Sequence, residues 1–248
     1  MTESRQKIWK DEYEIRSYDA DRNLKLKFTN LCRFMQNTAY NHAENLGVGF
    51  SFLHEKKLIW MLAGQLVKIE KYPEWRDPVY LHTWPSSHDR IFYYRDFKLT
   101  DAGGEVLAMA TTKWFIIDMI RRRPMRKGVI PEENFIYGER LFGNGFDKIS
   151  IPDSGGEEYK LEAQYSDIDI YRHVNSARYI EWALDAMPAE YTGSHELREI
   201  QADYLTEAVL GDELVLKTFS GADGSFIHSV ERVEDGKSLC NLQSRWKC

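Results

Sequence analysis

An ordered internal repetition constrains this chain more than any single motif. A helix-period stretch begins near Asn30, with Leu31, Phe34, Met35, Thr38, Ala39 and His42 on one face, and Gly47 and Gly49 follow as stop signals. β-forming segments come next: LIWMLAGQLVKIEKY, DPVYLHTW, RIFYYRDFKLT and EVLAMATTKWFIID, the last two joined by a turn at Asp101–Gly104. The order then recurs. Asn175 precedes a helix-period run with Ala177, Ile180, Ala183, Leu184 and Met187 on one face, and Pro188 closes it. REIQADYLTEAV, DELVLKTF and a hairpin turning at Asp235–Gly236 follow. DPVYLHTW at Asp77–Trp84 matches DELVLKTF at Asp212–Phe219, and TTKW ending at Trp114 matches QSRW ending at Trp246. A period beyond ~100 residues signals a duplicated domain, because solenoid repeats are shorter. A helix this apolar needs a sheet to cover it. The expected class is therefore α+β: two tandem domains, each a long central helix wrapped by a curved antiparallel sheet. The expected bounds are 1–137 and 155–248, with 138–154 a linker in a Pro- and Gly-bearing stretch of weak periodicity.

With 248 residues, such a chain can bury its cores without disulfides. A net charge of −6 argues against nucleic acid as a partner. Cys32, Cys240 and Cys248 are odd in number and form no CxxC pair, so they read as reduced thiols in a cytoplasm. The first residues show no apolar signal core, and no apolar run approaches ~18–20 residues, so integral membrane association is not expected. GxSxG and GxxxxGK[ST] are absent, histidines show no HxxxH spacing, and GVG at Gly47–Gly49 and GNG at Gly143–Gly145 lack a dinucleotide-site context. No metal and no cofactor are expected.

Chemistry concentrates in YSDIDIYRHVNSARYIEWAL, Tyr165–Leu184. Asn175 is a good helix N-cap. Asp167 and Asp169 lie where helix N–H groups favour negative charge, although capping explains one of them more easily than both. His173, just before the helix, has an acid four residues earlier, which makes a functional role compete with a structural one.

The segment SDIDIYRHVNSARYIEW resembles the active-site segment of acyl-[acyl carrier protein] thioesterases, whose pattern runs D-x-N-x-H-V-N-N-x-x-Y-I. Here it gives Asp169, Tyr171, His173, Val174, Asn175 and Tyr179–Ile180. WMLAGQLVKIEKYP and the later VYLHTW resemble the first domain of the same family, so the resemblance covers most of the chain. It implies a double hotdog fold and hydrolysis of fatty acyl-carrier-protein thioesters. It also singles out Glu207, otherwise an ordinary solvated strand residue, as a catalytic glutamate on a strand of the second domain. Two positions depart from the pattern. Ala208 stands where relatives often carry cysteine, which removes a cysteine nucleophile there. Tyr171 replaces the family asparagine with a bulkier hydrogen-bonding group.

The implied catalytic set is Asp169, Tyr171, His173 and Glu207. Glu207 would activate water, its basicity raised by burial beside the acyl tunnel. Asp169 and His173 would orient the reactants. N–H groups near His173 to Ser176, with Asn175 and Ser176 among the substrate contacts, would hold the thioester oxygen. Leu31, Phe34, Met35 and Trp60 are candidates for the acyl-chain pocket of the first domain. In RRRPMRK at Arg121–Lys127, Arg121, Arg122 and Arg123 are candidates for docking acidic acyl carrier protein. Hydrolysis of coenzyme A esters and non-catalytic acyl binding are the alternatives, and a homodimer is one assembly the resemblance allows, because hotdog sheets often continue across partners.

Overall fold

The computed structural model describes residues 5–126, 128–131, 134–135, 137–143, 146–221 and 223–248. Lys127 and Gly145, in two segments singled out above, lie outside them. The chain divides into two compact units, 1–63 with 69–145 and 64–68 with 146–248.

The first unit runs β1 (Trp9–Glu14), α1 (Phe28–Asn45), α2 (Phe50–Glu55), β2 (Leu58–Ile69), β3 (Pro78–His88), β4 (Tyr93–Asp101), β5 (Val106–Asp118) and the short β6 (Arg123–Pro124). The second runs β7 (Glu157–Glu162), α3 (Ser176–Asp185), α4 (Ala189–Ser194), β8 (Glu196–Tyr204), β9 (Glu213–Ser220), β10 (Ser225–Arg232) and β11 (Ser238–Lys247). Strand order is β1-β3-β4-β5-β2 in the first and β7-β9-β10-β11-β8 in the second, one order used twice. Residues 64–68 of β2 lie along β8, with Gly64 opposite Asp203 and Lys68 opposite Glu199. Each unit is a hotdog: α1 packs on β1 and β3, and α3 packs on β9 and β11. The repetition reaches single hydrogen bonds. Trp114 Nε1 donates to Thr112 Oγ1 at 2.7 Å, and Trp246 Nε1 donates to Ser244 Oγ at 3.0 Å.

The helices form where apolar spacing asks for them. In α1, Phe28, Leu31, Cys32, Met35, Thr38, Ala39, His42 and Ala43 are buried at three- and four-residue intervals. Gly47, at φ +71°, turns the chain away after it. In α3, Asn175 Oδ1 accepts the Ala177 N–H at 3.0 Å, the N-cap its side chain suggests. The expected turns also form. Asp101 Oδ1 accepts from Gly103 N and Glu105 N, and Gly236 (φ +66°) turns the second hairpin.

Several elements lie outside the sequence expectation, the short β6 among them. Strands β1 and β7, WKDEYE and EEYKLE, precede the helices and alternate half-buried or partly buried with exposed positions. Among the described residues each pairs on one side only, with β3 and β9, so charged side chains sit on sheet edges and leave little apolar signal. Helices α2 and α4 have six residues each, too short for a period, and start at Gly49 and Pro188. The first core gathers Leu46, Val48, Leu53, Leu58, Ile116 and Ile130, with Val129 and Phe135 packed against it. Residues 138–141, within the stretch read as linker, are bonded to the first unit: Gly138 N–H to Pro85 O, Trp84 Nε1 to Glu139 O, and Leu141 N–H to Asp96 Oδ2.

Candidate active site

The two acids before α3 have different fates. Asp167 is buried; its Oδ2 accepts the Gln164 N–H at 2.7 Å, and its Oδ1 lies 2.6 Å from Arg178 Nε on α3. It pins a single 3-10 turn, Tyr165–Asp167, to the helix. Asp169 builds a loop instead. Its Oδ1 accepts the Tyr171 N–H at 2.8 Å, and its carboxylate also bonds the His173 N–H. Asp169 N–H donates to His173 O at 2.9 Å, Arg172 N–H donates to Asp169 O at 3.0 Å, and Arg172 takes φ +68° to close the turn. Burial raises the Asp169 carboxyl above the ordinary range, against the backbone N–H bonds and His173, which lower it. The loop presents His173 at the mouth of α3.

Glu207 is not on a strand. Strand β8 ends at Tyr204, and the N–H groups of Leu205 and Thr206 both turn to Leu239 O, which breaks the ladder. Beyond that break three bonds hold the segment. Val174 N–H donates to Ala208 O at 2.9 Å, Ala208 N–H donates to the Tyr179 hydroxyl at 3.2 Å, and Arg232 Nη2 donates to Glu207 O at 2.5 Å. Arg232 is itself held by Asp212, 3.2 Å away. This brings Glu207 Oε2 to 3.1 Å from His173 Nε2. The burial expected for Glu207 is absent: its side chain is 40% exposed, and His173 is 31% exposed. Water therefore reaches the pair.

The N–H groups at the start of α3 are mostly occupied. Val174 donates to Ala208 O, Asn175 to Asp167 O, Ala177 to Asn175 Oδ1 and Arg178 to Asn175 O, while His173 bonds Asp169. Only the Ser176 N–H has no partner among the described residues, so the set of oxyanion donors expected from the sequence contracts to one. The Ser176 carbonyl, in the next peptide unit, accepts from the Tyr204 hydroxyl at 3.1 Å, which anchors the first turn of α3 to β8. Tyr171 is half-buried in the Asp169 loop. The structure thus gathers Asp169, Tyr171, His173, Asn175, Ser176 and Glu207. Tyr179 and Arg232 complete the support; Tyr179 stood in the motif without a role, and nothing in the sequence marks Arg232.

The first unit holds a cleft whose mouth opens to solvent. Trp60 lines it, with Ala39, Ala43, Tyr93, Trp114 and Phe135. Leu31 and Met35 are buried in the core and Phe34 stacks on Tyr13 with ring centres 4.2 Å apart; none of these three lines the cleft. Arg121 and Arg122 lie in the turn between β5 and β6, and Arg123 opens β6, paired with Asp118. Asp118 Oδ1 accepts the N–H groups of Ile120 and Arg121, and the side chains of Ile120 and Arg121 are each 77% exposed. Among the described residues no cluster of three or more His, Cys, Asp or Glu could hold a metal ion, and no helix is long and apolar enough to cross a membrane.

Two family models match this chain: the acyl-ACP thioesterase N-terminal domain over residues 6–134 and the C-terminal domain over 152–248. The chain belongs to the acyl-ACP thioesterase family. As an acyl-ACP thioesterase family member it is 29% identical to the chloroplastic oleoyl-acyl carrier protein thioesterase 2 of Arabidopsis thaliana, over 96% of this chain and 76% of that one. It is 28% identical to the chloroplastic palmitoyl-acyl carrier protein thioesterase of Gossypium hirsutum, over 97% of this chain and 64% of that one. Its fold is similar to that of an acyl-ACP thioesterase from Bacteroides thetaiotaomicron, with a TM-score of 0.89, 26% identity, and 97% and 98% of the two chains covered. The 12:0-ACP thioesterase of Umbellularia californica shares the fold, with a TM-score of 0.87 at 23% identity, over 98% of each chain.

Proposed function

We propose that the chain hydrolyses fatty acyl-[acyl carrier protein], with Glu207 as general base toward water. The observation that carries this is the His173–Glu207 contact of 3.1 Å. It engages Oε2 and leaves Oε1 without a protein partner among the described residues, open to a water molecule. Glu207 takes a proton from that water as its oxygen bonds to the thioester carbon. The carbonyl oxygen gathers charge at the Ser176 N–H, where the α3 dipole adds to the attraction. Collapse breaks the C–S bond, and the proton passes from Glu207 to the departing thiolate. Asp169 acts through the loop that carries His173, and Ala208 leaves no cysteine at that position to form an acyl-enzyme.

The test is free-acid release from acyl-carrier-protein and acyl-coenzyme A thioesters. A general base is worth ~10²–10⁴-fold, so Glu207→Ala should fall by that much on carrier-protein substrates. Full activity in both Glu207→Ala and Asp169→Ala would sink the mechanism. A preference for coenzyme A esters would reassign the substrate, and binding without release would make the chain an acyl binder.

The remaining assignments belong to the same reading. The cleft of the first unit takes the acyl chain, with Trp60 in its wall, and the arginine turn docks the carrier protein. Release of free acid places the reaction at the end of fatty acid synthesis. Three free cysteines, two of them buried, suit a reducing compartment such as the cytoplasm. The one-sided pairing of β1 and β7 leaves backbone edges at which a second copy could add in a homodimer.

A further inference from the structure

The cleft in the first unit is not purely a hydrocarbon site. Arg95, on β4, is buried in its wall. One nitrogen, Nη1, bonds His42 Nδ1 at 2.9 Å and Thr83 Oγ1 at 3.2 Å. His42 in turn sets its Nε2 against Gln6 O at 2.9 Å, so Nε2 carries the proton and Nδ1 is the acceptor. The guanidinium is thus held in one orientation by neutral groups, and no carboxylate reaches it among the described residues. Burial pushes Arg95 down to about 9, so it remains cationic at neutral pH. Its Nε and Nη2 have no protein partner among the described residues and are not sealed off from the cleft that Arg95 lines. The rest of the wall is mostly aromatic and apolar, including Ala39, Ala43, Trp60, Trp114 and Phe135.

A saturated alkyl chain laid along this wall would strip water from those N–H groups and return no acceptor. Desolvating a buried donor without replacement is costly, and a site built around such a donor discriminates strongly between a ligand with the acceptor and one without it. We propose that the cleft selects acyl chains carrying an oxygen acceptor, which Arg95 binds through Nε and Nη2. The acceptor is a hydroxyl, an oxo group or a terminal carboxylate on the chain. This rests on the reading of the cleft as the acyl-chain site.

The experiment uses the full chain and carrier-protein thioesters of equal carbon number: saturated, hydroxylated, oxo-substituted and ω-carboxylated. The three oxygenated arms identify which acceptor fits. Wild type should favour at least one over the saturated chain by about tenfold or more in kcat/KM, the scale of one unmet buried donor. In Arg95→Gln that ratio should shrink toward one. Equal handling of saturated and oxygenated chains by wild type would overturn the proposal, as would a preference that survives in Arg95→Gln. Binding of the same acyl chains held on carrier protein through a non-hydrolysable amide in place of the thioester, read by quenching of Trp60 and Trp114 fluorescence, separates this from the hydrolytic reading. The same order of affinities with no hydrolysis of the thioesters would uphold the oxygen site and defeat the enzyme. The saturated conjugate binding as well as the oxygenated ones would defeat the oxygen site alone. The wild-type ratios decide even if Arg95→Gln does not fold.

Discussion

Arg232 donates a hydrogen bond of 2.5 Å to the backbone carbonyl of Glu207, 25 residues earlier in the chain. The bond fixes the carboxylate without touching it, since only the peptide is held. Arg232→Met should lower kcat by about 10–100-fold through misplacement of Glu207 while KM stays near wild type. It also strands Asp212, so stability should fall by about 1–3 kcal/mol. Arg232→Lys should recover part of kcat. A loss of activity that merely follows the fraction folded would refute the positioning role.

Buried histidines should make the protein acid-sensitive. Burial pushes both His42 and His228 down to about 4, with the neighbouring Arg95 adding to the effect at His42. Unfolded histidines near 6.5 bind protons that the folded ones refuse, so stability falls as pH drops from about 6.5 to 4. The linkage amounts to something on the order of 3 kcal/mol for each histidine. Urea midpoints measured across that range should drop, and His228→Gln should halve the pH dependence. A flat midpoint profile would contradict the burial argument.

Chain length should answer to the C-terminal half of α1, not its start. Ala43→Leu narrows the cleft and should shift hydrolysis toward shorter acyl groups. Leu31→Ala removes a core side chain and should cost about 2–5 kcal/mol with an unchanged chain-length profile. Product analysis by gas chromatography, alongside thermal melts, distinguishes the two. A length shift from Leu31→Ala would reverse the assignment.

Charge reversal at the arginine turn tests carrier-protein docking. Arg121→Glu with Arg123→Glu should raise KM for carrier-protein thioesters several-fold and leave coenzyme A esters nearly unaffected. Raising the salt concentration should mimic the effect in wild type, because exposed charges are screened beyond ~10 Å at 0.1 M. An equal change on both substrate types would rule out the turn as the dock.

The duplication was legible because matching residues take matching structural roles. Asp77–Trp84 and Asp212–Phe219 lead into and run along β3 and β9, each second in its sheet order. Asn175 announced its cap, and the motif around His173 lies at one loop. What escaped the sequence depended on distance along the chain. Arg232 meets Glu207 only because the β9–β10 hairpin returns the chain beside the segment that follows β8. Leu31, Phe34 and Met35 share a helical face with Ala39, so periodicity could not say which end of that face borders the cleft. Asp167 and Asp169 look alike in sequence, yet a salt bridge to Arg178 absorbs one and a turn forms around the other.

Thr83 and Thr218 occupy matching places in the two halves, and each bonds a basic side chain from the adjoining strand. In the second unit that side chain is His228, closed in between Thr218 and Ser244. In the first it is Arg95, which looks out into a cleft. After a duplication, two copies of one scaffold need not both carry the reaction. Each has its own core, so one copy could hollow out and diversify what it accepts while the other kept its reactive loop intact. Substrate range and reaction chemistry would then lie on separate stretches of chain and drift at separate rates, a division of labour within a single polypeptide.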